Sequence, residues 1–220
     1  MVVIIPGCSS MSKLAEGTLV GSGVGATVGA AAGAIVGKDG KSTAIGTAIG
    51  TAVGAGVGAL IGKKMDKKAA ELAAIEAAKV ETVEDANGLE AIKVTFDSGI
   101  LFKTGKYDLS QASKNELTKF AAEMKDLPDT DIAVFGHTDN TGSAEVNTRL
   151  SGQRANAVGD YLKNSGIDAK RIMTEGKSFN EPVASNDTAE GRAQNRRVEI
   201  YVYANEDMVK AAEAEAQQGK

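Results

Sequence analysis

A chain of 220 residues with 29 acidic against 25 basic side chains, a net charge of −4 at pH 7 and no basic run longer than two residues offers nothing for a nucleic-acid backbone to hold. One cysteine excludes an internal disulfide, and one histidine without a second cysteine excludes the common zinc and haem ligand sets, so no cofactor is expected. Tryptophan is absent and aromatics make up 4 %, which leaves Val, Ile, Leu, Phe and Met to build a core; about 110 residues can supply one for a single small domain.

Residues 1–18 begin with Met1, Val2, Val3, Ile4 and Ile5, followed by Pro6, a small Gly7, Cys8 and the polar Ser9 and Ser10. The order apolar run, small residue, cysteine is that of a bacterial lipoprotein signal. The apolar run is shorter than the roughly 7–15 residues of a full signal, so the expectation is a truncated signal remnant and tether. The alternative for an isolated cysteine is a free or buried thiol.

Residues 19–62 hold thirteen of the 26 glycines, and these recur every fourth position: Gly21, Gly25, Gly29, Gly33, Gly37, then Gly46, Gly50, Gly54, Gly58, Gly62. Lys38, Asp39, Gly40 and Lys41 separate two uncharged arms, each long enough to cross a bilayer. A flexible linker has no reason to keep a strict period. The ladder therefore predicts two helices packed closely as an antiparallel hairpin, by the small-xxx-small rule. Spanning a bilayer, lying against one, and self-assembly into a homo-oligomer all remain open. Residues 63–87, rich in Ala, Lys and Glu, read as a charged helical linker about 37 Å long if fully helical.

Residues 88–205 alternate between the two periodicities. Strands are expected at 91–96, 100–102, 131–136 and 171–175. A helix at 110–125 carries Leu117, Phe120, Ala121 and Met124 on one face, and a second at 143–164 ends on Gly166 as a left-handed cap. The last strand, 197–202, alternates apolar and polar and predicts one exposed face. The fold class is α/β, a βαβαβ sandwich with helices on one face of a mixed sheet. Residues 206–220, rich in Ala, Glu and Gln, read as a polar tail, solvated or frayed.

Function concentrates in the turn after strand 131–136. Asp139 lies within Thr138, Asp139, Asn140, Thr141 and Gly142 at the mouth of that strand, where ligands often meet a sheet. Asn147, Ser151 and Arg154 share one face of the next helix. A guanidinium grips a carboxylate with two parallel N–H bonds while Asp139 accepts from an ammonium, which together suit an amino-acid-like zwitterion. Structural alternatives stand beside this: Asp139 making an Asx-turn, Arg154 a surface ion pair, Asn147 an exposed helix residue, and Thr141 a turn former. His137 has no nucleophile or second carboxylate placed beside it by any motif, so no enzyme is expected.

The run 136–158, together with Asn195, Arg196, Arg197, Val198 and Glu199, resembles the OmpA-like peptidoglycan-binding family, of the outer-membrane lipoprotein type with a glycine-zipper front end. The resemblance covers about residues 92–203. It implies that Asp139 and Arg154 hold diaminopimelate of the peptidoglycan stem peptide and that Arg196 lies near the ligand. Asn147, sharing the helix face of Arg154, is expected to hydrogen-bond that ligand, and Thr141 in the turn is counted with the site. It also implies a lipid on Cys8, an outer-membrane location and a peptidoglycan-binding domain in the periplasm. One departure is Lys103, where many relatives carry Asp after the Phe matching Phe102. The expected function is a non-catalytic tether of outer membrane to wall; the alternative is a membrane-embedded oligomer, pore or stator-like, that uses the same domain as its anchor.

Overall fold

The computed structural model describes residues 53–218. Cys8 and most of the glycine ladder lie outside them. Among the described residues no helix is long and apolar enough to cross a membrane.

The first helix, α1 (Ala55–Leu72), carries Val57, Ile61, Met65 and Leu72 as a buried stripe at helical spacing. Strands β1 (Ala78–Glu84) and β2 (Glu90–Asp97) form a hairpin whose turn is built by Asp85, which accepts from the amides of Asn87 and Leu89, and by Gly88 at φ +71°. After a single helical turn α2 (Ser98–Leu101), helix α3 (Gln111–Lys125) starts where Ser110 Oγ accepts from the Ser113 amide. Strand β3 (Thr130–His137) leads to helix α4 (Ala144–Asn164), capped by Ser143 at its start and closed by Gly166 at φ +96°. Strand β4 (Ile172–Ser178), helix α5 (Ala189–Asn195), strand β5 (Arg197–Ala204) and helix α6 (Glu206–Gln218) complete the order.

The sheet runs β1-β2-β5-β3-β4, with β3 and β4 parallel and the other neighbours antiparallel. Its helical face joins Ile92, Val94, Phe96, Ile132, Val134, Val198, Ile200 and Val202 to Leu117, Phe120, Met124, Val158 and Leu162 in one core. Each such side chain contributes about 1.5–3 kcal/mol on full burial. A smaller cluster of Ala91, Ala133, Phe135, Tyr201 and Tyr203 lies on the opposite face.

Five expectations need correction. The linker at 63–87 is not one helix: α1 stops at Leu72 and β1 takes up 78–84, because β-branched Val80, Thr82 and Val83 lead into the Asn87, Gly88 turn that pairs β1 with β2. The boundary at residue 62 is not a structural break either, since the stripe of α1 runs through Gly58 and Gly62, and a Cβ on Gly62 would stand 3.0 Å from Glu90 Oε2. Residues 100–102 form the end of α2 and an isolated bridge from Phe102 to Leu109 rather than a strand. The tail at 206–218 is a docked helix: α6 buries Met208, Val209 and Ala212, packs on α1 and pairs Glu215 with Lys64 at 3.8 Å. Strand β5 is also buried along its whole length, because it lies centrally and its polar face pairs internally.

Candidate functional site

Three loops meet at one end of the sheet, and the buried face of α4 ties all of them down. Asn147 Nδ2 donates to Thr141 O at 3.0 Å, fixing the turn that carries Asp139. Ser151 Oγ accepts from the Ser178 amide at 3.1 Å, fixing the end of β4. Arg154 Nε donates to Lys106 O at 3.1 Å, fixing the segment between α2 and α3, while its guanidinium lies 5.2 Å over the Phe102 ring. One helix face with residues at i, i+4 and i+7 thus organises the site.

Asp139 carries both an Asx-turn and an ion pair. Its Oδ1 accepts from the Thr141 amide at 2.9 Å, and its Oδ2 accepts from Arg196 Nη1 at 2.6 Å. Burial pushes the carboxyl up, but the Arg196 guanidinium and Thr141 outweigh it and hold the group below the usual carboxylate range. Arg154 is buried, and burial together with the charge of Arg196 lowers its pKa, with Asp139 acting the other way. Neither terminal nitrogen of Arg154 has a hydrogen-bond partner among the described residues. Two guanidiniums therefore face one carboxylate, and the more buried of the two has bonding capacity unused.

The structure brings Asp139, Thr141, Asn147, Arg154 and Arg196 to one place. Asp139 and Arg154 do not bond each other; Arg196 is the partner of Asp139. Asn147, expected as a ligand donor, uses its amide on the Thr141 carbonyl, so its role here is to hold the turn. Cys8 lies outside the described residues. Sequence reasoning missed the Lys106 carbonyl and Ser178, which act through backbone atoms that carry no residue-type signal.

His137 sits on the opposite sheet face. Its Nε2 stands 3.5 Å from Glu199 Oε2, too far for a hydrogen bond, so both ring nitrogens lack one among the described residues. Burial holds its pKa down despite the nearby carboxylate. Two surface grooves of about 550 and 630 Å³, lined in part by Lys79, Lys93 and Val183 and by Lys67, Glu71 and Asp129, include none of the predicted site residues.

Residues 101–196 match the OmpA family, and residues 1–66 match the YMGG-like Gly-zipper. The chain is 45 % identical over 109 residues to the probable lipoprotein YiaD of Escherichia coli, covering 50 % of each. It is 43 % identical over 112 residues to the peptidoglycan-binding protein ArfA of Mycobacterium tuberculosis, covering 51 % of this chain and 34 % of that one. Among solved structures, the cell wall anchor of the T6SS from Pseudomonas aeruginosa is 32 % identical with a TM-score of 0.54, covering 64 % of this chain and 97 % of that one. The chain spans half or less of the length of these two curated relatives.

Proposed function

We propose, for a chain that belongs to the OmpA family, that it is a non-catalytic tether gripping the free amino-acid end of diaminopimelate in the peptidoglycan stem peptide. Arg154 takes the carboxylate with its terminal nitrogens, and Asp139 takes the ammonium, sharing its charge with Arg196. The observation that carries this reading is the buried Arg154 guanidinium with only Nε bonded to protein. Its terminal nitrogens are free to donate, and a carboxylate supplies two acceptors in the matching geometry. The excess of cation over anion favours a ligand that brings negative charge first.

A relative named as peptidoglycan-binding and a solved cell wall anchor support the same assignment. The protein sits at the outer membrane with residues 53–218 in the periplasm, held through a lipid on Cys8, the glycine hairpin, or both. Full-length protein should co-sediment with purified sacculi, and free meso-diaminopimelate should compete. Sacculi carrying lysine in place of diaminopimelate should bind more weakly, because lysine lacks the second carboxylate. Equal binding to both kinds of sacculus would refute the assignment of the ligand.

A further inference from the structure

Asp139 and Arg154 stand on different elements without touching, so their separation must be set by whatever joins the end of β3 to α4. Contact between these elements is unusually close. A Cβ at Gly136 would collide with the Ser151 carbonyl oxygen, and one at Gly176 with the Gly152 amide nitrogen. At this crossing the pairing of β3 with β4 shifts register between Gly136 and His137, so that His137 lies opposite Ser178. Ser178 has φ 55° and is the one non-glycine residue in the left-handed region among the described residues. Such a conformation persists only where surrounding bonds over-determine it.

Those bonds form a continuous chain. Ser151 Oγ donates to Thr148 O at 3.0 Å and accepts from the Ser178 amide at 3.1 Å. The Ser178 carbonyl accepts from the Thr138 amide at 2.9 Å, and Thr138 directly precedes Asp139. Ser151 is fully buried and Ser178 nearly so. We propose that Ser151 and the left-handed backbone of Ser178 form a latch that fixes the Asp139 carboxylate relative to the Arg154 guanidinium, and so sets selectivity for a zwitterion over a plain carboxylate. Both are positioning residues, since neither is assigned a contact with ligand. The inference rests on the peptidoglycan reading for its ligand, but the latch itself is a property of the unliganded chain.

The test compares two probes on full-length protein by calorimetry: meso-diaminopimelate, with an ammonium beside each carboxylate, and pimelate, with none. Wild type should prefer diaminopimelate. Ser151→Ala removes the acceptor for the Ser178 amide and should reduce that preference at least tenfold, while pimelate affinity changes less than twofold. Ser178→Gly keeps the amide, the carbonyl and the left-handed φ, and should bind as wild type. Ser178→Val opposes that φ and should behave as Ser151→Ala. Val158→Ala, a core change on α4 away from the latch, should lower thermal stability without altering the preference. An unaltered preference in Ser151→Ala, or an equal loss in Val158→Ala, overturns the latch. If wild type shows no preference, the ligand reading has failed, and carbon-13 titration of the Asp139 carboxyl without ligand decides instead. Ser151→Ala should shift that titration up toward the usual carboxylate range, and an unmoved titration overturns the proposal.

Discussion

Two clusters of buried charge lie a few residues apart along the chain, one on strands β2, β3 and β5 and one on the turn, helix and loop beside their ends, and they have opposite fates. Around Glu199 both carboxylate oxygens are satisfied from within, although the adjacent His137 keeps both ring nitrogens unbonded among the described residues. Oε1 accepts from Arg197 Nε and stands 2.8 Å from Lys93 Nζ, and Oε2 accepts from the Tyr201 hydroxyl at 2.9 Å. Burial opposes ionisation of Glu199, yet His137, Arg197 and Lys93 hold its pKa well below the usual range. Around Asp139 the bonds are incomplete: Arg154 is as deeply buried, yet its terminal nitrogens stay unpaired among the described residues. Burial and shifted pKa mark both clusters. Unused donors on a charged group mark only the Asp139 cluster. The unbonded ring beside Glu199 is a sealed His137 that burial keeps from protonating, and that difference separates a scaffold from a binding site.

The comparison breaks if the two clusters respond alike to mutation. Glu199→Ala should lower stability by about 3–5 kcal/mol in denaturant unfolding, because the buried Arg197 and the half-buried Lys93 are left without a counter-charge, and the folded fraction should still bind sacculi. Arg154→Ala and Asp139→Ala should invert that profile. Either should cost about 2–5 kcal/mol of binding, roughly a 30- to 4,000-fold loss, while thermal stability changes little. Arg154→Lys should recover only part of the affinity, since a point-like ammonium cannot reproduce the forked contact.

Acid should separate the clusters further. Asp139 has a lowered folded pKa, so its charge persists below the ordinary carboxylate value of about 3.9. Sacculus binding should therefore stay level from neutral pH to about 4 and fall only beneath it. His137 acts at milder pH: its folded pKa is lowered, so below about 6.5 the unfolded chain takes up a proton that the native one refuses. Stability should fall with acidification from there by at most about 1.4 kcal/mol per pH unit, until the folded form also protonates. His137→Gln should flatten this slope in pH-dependent unfolding; an unaltered slope would assign it to other groups.

Much of this was legible in the sequence. Ser110 and Ser143 announced their helices, and Gly166 ended the second one. The central strands and the turn holding Asp139 followed from period-two apolar runs and turn residues. The two terminal helices were not legible as parts of the fold. The stripe of α1 begins inside the glycine ladder, and α6 hides Met208 and Val209 in a run of Ala, Glu and Gln. Strand β1 was masked by the Ala-rich stretch before it, although Asn87 and Gly88 marked its hairpin. A fragment starting at residue 88 and ending at 205 would lose α1, β1 and α6, and with them the buried Ile61, Met65, Leu72 and Met208 that complete the core; residues 53–218 are the better unit for study. At the site, residue types were readable but partners were not. The pairing of Arg196 with Asp139 and the hold of Arg154 on a backbone carbonyl depend on three loops converging, which no local pattern encodes.

The central claim is that Arg154 supplies the unused donors that a diaminopimelate carboxylate takes up. Its most direct test is calorimetric titration of a diaminopimelate-containing muropeptide into full-length wild type and Arg154→Ala, with both shown to be folded by matching unfolding transitions. The account predicts saturable binding to wild type and none measurable at the same concentrations for the variant. Undiminished binding by a folded Arg154→Ala protein would contradict it.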